Sequence, residues 1–197
     1  MTLVIVNEES VTSDSRRKMV ESAAALIGAQ GLTATSFSDV LAESGAPRGS
    51  IYFHFPGGKR ELAREAIRWT SDQVMAHMQA GPATSAAEIV RHFVSLFQHV
   101  VEASGGAAGC AVAGVTIDLP VDDEDLLGEA RGAFHAWVAL LADQLQTAGL
   151  ARARAEGIAM IAVSSVEGAL ILCRAEGGSA PMDAVAGQLQ MLVELSS

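Results

Sequence analysis

The sequence predicts an all-α protein of about nine helices, with a small N-terminal domain and a larger C-terminal one. Apolar residues recur at helical spacing along most of the 197 residues, and no segment shows the alternation of a strand. Half of the residues are apolar and 18% are charged, which excludes wholesale disorder. The charge is unevenly divided: residues 14–70 hold eight basic and six acidic residues, whereas residues 71–197 hold five basic and fifteen acidic ones. The two parts therefore suggest two tasks.

Three segments are expected along the chain. They are a flexible extension over residues 1–13, a helix-turn-helix domain over residues 14–60, and a C-terminal domain over residues 61–197. In the second segment, helical spacing predicts a first helix over residues 19–30. Gly31 follows it, where a glycine cap would end the helix.

A short second helix and a short third helix are predicted next. Ser36 is a typical N-cap residue for a helix over residues 36–44. Gly45 then supplies a turn, and Pro47 suits the first position of a helix over residues 48–54. Two short helices joined by such a turn form a helix-turn-helix, whose second helix enters the major groove of DNA.

The remaining helices are expected to build the larger domain. Their predicted ranges are residues 59–79, 85–103, 110–117, 122–149, 151–175 and 182–195. The most apolar stretch, residues 158–173, is interrupted by Glu167 and is shorter than the roughly 20 apolar residues of a membrane span. We therefore expect a soluble cytoplasmic protein with no membrane partner.

The residues around the third helix have the chemistry of a DNA-reading surface. Arg48 can make bidentate contacts with guanine or phosphate, and Gly49 allows close approach of the backbone. Ser50 can bond phosphate or base, and Tyr52 offers a flat ring with a hydroxyl. Lys59 opens the next helix, where its charge and the free N–H groups suit a phosphate.

This part of the sequence resembles the N-terminal domain of TetR-family transcriptional repressors. The resemblance rests on GLTAT at residues 31–35 and on SGAPRGSIYFHFPGGKREL at residues 44–62. The motif APRGSIY and the second glycine of Phe-Pro-Gly-Gly-Lys are most similar to the LmrA/YxaF branch of the family. Members of that branch repress drug-efflux genes and leave DNA on binding small apolar compounds. Beyond residue 70 the resemblance rests on helix number and weakly on GCAVA (residues 109–113) and EGA (residues 167–169).

The resemblance implies a set of DNA contacts. They are Thr35, Ser36, Arg48, Ser50, Tyr52, His54 and Lys59, with Thr33 as a further candidate. The sequence departs from the commoner family form at Pro47 and Arg48, which changes the side chain expected to read bases. His54 lies between two phenylalanines and can equally be the end of the helix.

An effector cavity is expected inside the larger domain. Its candidate lining residues are Trp69, Met78, Phe93, Phe97, Cys110, Phe134, Trp137, Met160 and Glu167, with Met75 and Met191 as further possibilities. Methionine and aromatic side chains suit adaptable apolar sites, although ordinary core packing is the alternative for each.

Glu167 stands out because a carboxylate inside an apolar helix needs a partner. Three partners are open: a ligand, Arg174, or a second subunit. Ser164 and Gly168 form a small-residue face on the same helix, which favours a dimer interface built from the last two long helices.

The sequence gives little support for a disulfide-rich protein, a metalloprotein or an enzyme. The two cysteines, Cys110 and Cys173, form neither a disulfide framework nor a zinc pattern, and we expect no metal and no cofactor. Common catalytic motifs are absent from the sequence, so an enzyme remains only an alternative, as does a helical protein–protein adaptor. The expected function is a homodimeric repressor of an efflux or catabolic gene. A small apolar effector would release it from a palindromic operator through the long helix that begins at Lys59.

Overall fold

The structure is a bundle of α-helices with a small helical head. The computed structural model describes residues 8–81 and 84–195, with side chains from residue 14 onward. Within these ranges there are nine helices and no strand, which confirms the all-α class. The helices are α1 (Glu8–Ala34), α2 (Phe37–Ser44), α3 (Ser50–His54), α4 (Gly58–Ala80), α5 (Ala86–Ser104), α6 (Ala111–Asp118), α7 (Glu124–Thr147), α8 (Arg152–Glu176) and α9 (Ala180–Glu194). Of the extension expected at residues 1–13, residues 1–7 lie outside the described residues and the rest begins α1.

The head consists of α1, α2 and α3. Val40 of α2, Ile51 of α3 and Phe55 are fully buried against α1 and hold the two short helices in place. Gly31, near the end of α1, has a φ of 83°, so the backbone leaves the helical conformation there as the sequence predicts. Only glycine adopts this conformation without strain.

The third helix is shorter than the sequence predicts. The expected range began at residue 48, but α3 begins at Ser50. The reason is a turn, in which the N–H and the hydroxyl of Ser50 both donate to the carbonyl oxygen of Pro47, at 3.0 and 2.6 Å. Arg48 and Gly49 therefore lie in this turn and not on the helix.

Helix α4 belongs to both parts of the molecule. It packs on α1 in the head and on α7 in the larger domain, and it buries Leu62, Ala66 and Val74 along one face. Near its end, the ring of His77 stacks on that of His92 in α5 with centroids 4.1 Å apart. Each Nε2 donates to the backbone carbonyl of the other histidine, which fixes α4 to α5.

Helices α5 to α9 form the larger domain. Helix α8 lies against α7 and α9, and α5 packs on α9 and α8. In the described part of the chain, α8 alone is long and apolar enough to span a membrane by length and composition, and 44% of its most apolar stretch is buried inside the bundle. Core helices of soluble proteins give the same signal.

Candidate DNA interface and effector cavity

The start of α2 is held by side chains that the sequence predicts as DNA contacts. The Ser36 hydroxyl accepts from the N–H of Asp39 at 3.2 Å, and the Asp39 carboxylate accepts from the N–H of Ser36 at 2.9 Å. The Ser36 hydroxyl also donates to Asp39, and these bonds lower the pKa of that carboxyl. Thr35 is buried, and its hydroxyl donates to the carbonyl of Gly31 at 2.8 Å. Both residues thus shape the entry to α2, and the Thr35 hydroxyl does not face solvent.

The outer face of α3 carries two large exposed rings. Tyr52 is 69% exposed, and its ring meets that of Phe37 edge-on at 5.5 Å. Phe53 is 75% exposed, whereas Phe55 is fully buried. The sequence does not show that Phe53, rather than Phe55, belongs to the surface. Its position one residue after Tyr52 on the same short helix was the available signal.

Most basic side chains of residues 14–70 are already paired with carboxylates. Those within ion-pair distance of a carboxylate are Arg16, Arg17, Lys18, Arg60, Arg64 and Arg68. Arg48 is exposed and forms no ion pair with the described residues, and Lys59 donates from Nζ to the carbonyl of Thr33 at 3.1 Å. The positive charge left for a DNA backbone therefore belongs to Arg48 and Lys59.

An arginine ladder ties α4 to α7. Arg60 lies 2.7 Å from Asp123, Arg64 lies 2.7 Å from Asp125, and Arg68 pairs with Glu129. The hydrogen bonds from Arg60 lower the pKa of Asp123. Each exposed pair is weak alone, but three in register fix how α4 lies against the larger domain.

The main cavity of the larger domain lies between α6, α7 and α8. It measures about 530 Å³, and its wall is mostly apolar, with Phe134, Val138, Met160 and Val163 beside Glu167. Three of the predicted effector residues, Phe134, Met160 and Glu167, are thus brought together. The remaining predicted residues are elsewhere.

Some of those residues line other cavities. Cys110 lines a smaller cavity of about 260 Å³ between α1, α6 and α8, which also reaches Glu167. Met78 and Phe93 line a cavity of about 460 Å³ between α4, α5 and α7. Six of the predicted residues therefore divide between three cavities.

The other predicted residues belong to packing or to the surface. Phe97 and Trp137 are buried in the core, and the Trp137 indole N–H donates to the Ser71 hydroxyl at 3.2 Å. Trp69 and Met75 are half-buried against that core, while Met191 is exposed on α9. None of these five lines the cavity beside Glu167.

Among the described residues, Glu167 has no partner stronger than the nearby Cys110 thiol. Both carboxylate oxygens are buried, and neither accepts a hydrogen bond. The expected alternative of pairing with Arg174 is not formed, because Arg174 donates to the carbonyl of Ala107 at 2.9 Å. Burial raises the pKa of Glu167 to about 7, and the neighbouring Cys110 thiol opposes part of that rise.

Helix α6 connects the cavity to the head. A Cβ on Gly28 of α1 would lie 2.5 Å from the carbonyl oxygen of Gly109, so the two backbones touch. Gly114 approaches Ile27 of α1 just as closely. At the other end of α6, Asp118 accepts from the N–H of Thr33 at 2.7 Å. Helix α6 is therefore in direct contact with α1 and with the segment that leads into the helix-turn-helix.

Comparison with known proteins decides which family has this arrangement. A helix-turn-helix-type transcriptional regulator of Mycobacterium tuberculosis, itself uncharacterised, is 34% identical over 184 residues, which is 90% of this chain and 93% of that protein. The chain belongs to the TetR family. The family model for bacterial regulatory proteins of the TetR type matches residues 19–66, and the model for the C-terminal domain of LmrA/YxaF-like transcriptional regulators matches residues 86–188. Both matches confirm the resemblance drawn from the sequence, and they identify a transcriptional regulator rather than an enzyme.

Solved structures of TetR-family regulators share the fold. A TetR transcriptional regulator from Legionella pneumophila superposes with a TM-score of 0.78 at 24% identity, over 97% of this chain and 100% of that one. A cysteine mutant of the TetR-family regulator CifR, in complex with 26-base-pair operator DNA, superposes with a TM-score of 0.71 at 16% identity, over 89% and 94% of the two chains. At these identities the likeness establishes the fold alone.

Proposed function

We propose that this TetR-family regulator is a cytoplasmic homodimeric repressor that a small, mostly apolar effector releases from a palindromic operator. One observation carries the proposal. On the helix-turn-helix, Arg48 is exposed without a carboxylate partner among the described residues and Tyr52 is 69% exposed, although most other basic side chains of residues 14–70 are paired. An unpaired arginine and a large aromatic ring that both remain exposed to water on one surface indicate that this surface binds a partner.

The DNA contacts follow from this exposed surface. Arg48 and Tyr52 face the bases, with Phe53 available for apolar contact with thymine methyl groups. Ser50 keeps acceptor lone pairs free, since its hydroxyl donates to Pro47. Lys59 at the start of α4 contacts a phosphate, a role that positions the head without reading sequence.

A second copy completes the regulator. The outer face of α8 exposes Ile161, Ile171 and Leu172, and α9 exposes Met191. Apolar surface of this extent favours burial against another protein. Pairing of α8 and α9 with the same helices of a second chain places two recognition helices on one operator, with half-sites about 34 Å apart.

Release requires that the effector favour a different spacing of the two heads. The cavity beside Glu167 touches α6, and α6 touches α1 through Gly28 and holds Thr33 through Asp118. The arginine ladder gives α4 a second fixed contact with the larger domain. An effector shifts this equilibrium only by its difference in affinity between the two states.

A gel-shift assay with the intergenic DNA upstream of the protein's own gene tests the proposal. We expect a discrete shift at low salt, a single dimer on each site, and loss of the shift when an effector is added. No shift at low salt would reject DNA-binding repression by this chain. A shift that no apolar compound reverses would leave DNA binding intact and reject the ligand response.

A further inference from the structure

The carboxylate of Glu167 lines the cavity and is buried, and no described residue forms a hydrogen bond of ordinary length with it. The two nearby arginines are occupied: Arg174 donates to Ala107, and Arg131 lies 3.6 Å from Glu124. A buried carboxylate without a partner is costly, so a native structure that keeps one has a use for it.

The group beside Glu167 does not satisfy it. Cys110 is buried at the start of α6, and its thiol is a weak donor. Burial and the charge of Glu167 raise the pKa of this thiol well above its usual value, so the thiol keeps its proton. Glu167, with a pKa of about 7, changes between its acid and its carboxylate near neutral pH. A positive group placed next to it would favour the carboxylate.

The shape of the cavity defines the rest of the ligand. The space of about 530 Å³ is walled mainly by aromatic and aliphatic side chains, so it accepts an apolar body. Arg131 and His135 also line this cavity, but both are exposed, where solvent screens their charge. The buried end of the cavity is therefore negative and the wall is apolar.

The charge of the larger domain acts in the same direction. Residues 71–197 contain fifteen acidic residues against five basic ones. Such an excess attracts cations and raises their concentration at the surface. It disfavours anionic ligands.

We propose that Glu167 is the anchor for a protonated amine, and that the effector of this regulator is a lipophilic cation whose apolar body fills the cavity between α6, α7 and α8. The inference rests on the proposed function, in which this cavity is the effector site. The carboxylate accepts hydrogen bonds from the ammonium group, and Phe134 and Met160 contact the apolar body.

The test uses full-length protein and three ligands of equal shape. The probes are 1-naphthylmethylamine, which is a cation at pH 8, the neutral 1-naphthalenemethanol, and the anionic 1-naphthoate. By isothermal titration at pH 8 we expect the amine to bind about ten- to one-hundred-fold more tightly than the alcohol, because hydrogen bonds to charged groups are the stronger ones. We expect the anion to bind most weakly.

Variants of α8 locate the anchor. Glu167→Gln should remove the preference for the amine while the alcohol binds as before. Glu167→Asp keeps the charge and should keep part of the preference, which a folding defect would not do. Glu176→Gln makes the same change at an exposed position of α8 and should leave the preference unchanged.

Three results would overturn the proposal. The first is equal or tighter binding of the alcohol to the wild-type protein, and the second is a Glu167→Gln variant that keeps the preference for the amine. The third is no binding of any probe at millimolar concentration. A gel shift on the same preparations separates the two proposals: a shift without amine preference rejects the ligand class alone, whereas no shift rejects the repressor itself.

Discussion

Replacing Glu167 by glutamine should change the stability of the protein in a way that depends on pH. The free energy of unfolding of the variant, minus that of the wild type, should be larger at pH 8 than at pH 4.5. The pKa of Glu167 rises from 4.5 to about 7 on folding, because burial disfavours the charged carboxylate. The folded state therefore binds its proton more tightly than the unfolded state does. Stability from this group is fully present below pH 4.5 and is lost as the pH rises towards and past 7.

The size of the effect follows from the shift. A rise from 4.5 to about 7 corresponds to about 3 kcal/mol, at about 1.4 kcal/mol for each unit of pKa. Glutamine keeps the shape but does not titrate, so its own cost is independent of pH. The free energy of unfolding of Glu167→Gln should therefore gain about 3 kcal/mol on the wild type between pH 4.5 and pH 8.

Urea unfolding of both proteins across this pH range measures the difference. Protein concentration must be the same throughout, since dissociation of a dimer contributes to the apparent stability. Groups that titrate in both proteins cancel in the comparison, and Glu176→Gln provides an exposed control that should show no trend. A difference between wild type and Glu167→Gln that stays within 1 kcal/mol from pH 4.5 to pH 8 would refute burial of an unpartnered carboxyl.

Four further outcomes follow from the head and its contacts. Arg48→Ala should weaken operator binding by about 1–3 kcal/mol in gel shifts, whereas Arg91→Ala, an exposed arginine of α5, should leave it unchanged. Gly28→Ala should destabilise the protein by about 1–3 kcal/mol in thermal unfolding because its Cβ meets the backbone of Gly109, just before α6, while Gly132→Ala, which meets nothing, should stabilise by about 0.5–1 kcal/mol. Asp118→Ala should cost about 1 kcal/mol in urea unfolding, through loss of its bond to the head. Operator affinity should fall with salt at a logarithmic slope of about −4, as expected when Arg48 and Lys59 of each of two chains displace counterions from the DNA.

For each of these predictions, a specific result would contradict the reasoning. Equal operator affinities of Arg48→Ala and Arg91→Ala would remove Arg48 from the interface. If Gly28→Ala were as stable as the wild type, α1 and α6 would not be in backbone contact. An unchanged urea midpoint for Asp118→Ala would show that its bond contributes nothing, and a slope near −10 would mean that the paired arginines also reach DNA.

Local signals in the sequence were sufficient for most of the fold. Ser36 caps α2 as predicted, since a serine followed three residues later by an acid forms a capping box. Gly31 and Gly45 take the left-handed conformations that their positions require. The start of α3 was missed because two bonds of Ser50 to Pro47 fix a turn, and that choice depends on three-dimensional contacts that spacing does not reveal.

The residues that line the candidate effector cavity were harder to predict from the sequence than the helices were. Helical spacing shows that Trp137 and Phe134 are apolar and internal, but it does not show that the first fills the core while the second faces a cavity. For Glu167 the sequence left three partners open, and the direction of Arg174 depends on how α8 meets the loop before α6. Packing between segments that are distant in the sequence determines which side chain faces a cavity and which partner a charged group contacts. A single sequence does not show this packing directly.

The unequal charge of the two domains takes on a different meaning in the structure. Residues 14–70 contain eight basic and six acidic residues, but three of the basic ones, Arg60, Arg64 and Arg68 of α4, are paired in the arginine ladder with the acidic start of α7. These pairs neutralise the part of the larger domain that lies closest to the head, where its carboxylates would most repel a DNA backbone. The same pairs hold α4 against α7. Any effector-driven change in the angle of α4 must therefore strain or break the ladder, and exposing those carboxylates would add electrostatic repulsion to the loss of correct spacing. Under the proposed function, release from DNA therefore has two physical causes that act in the same direction.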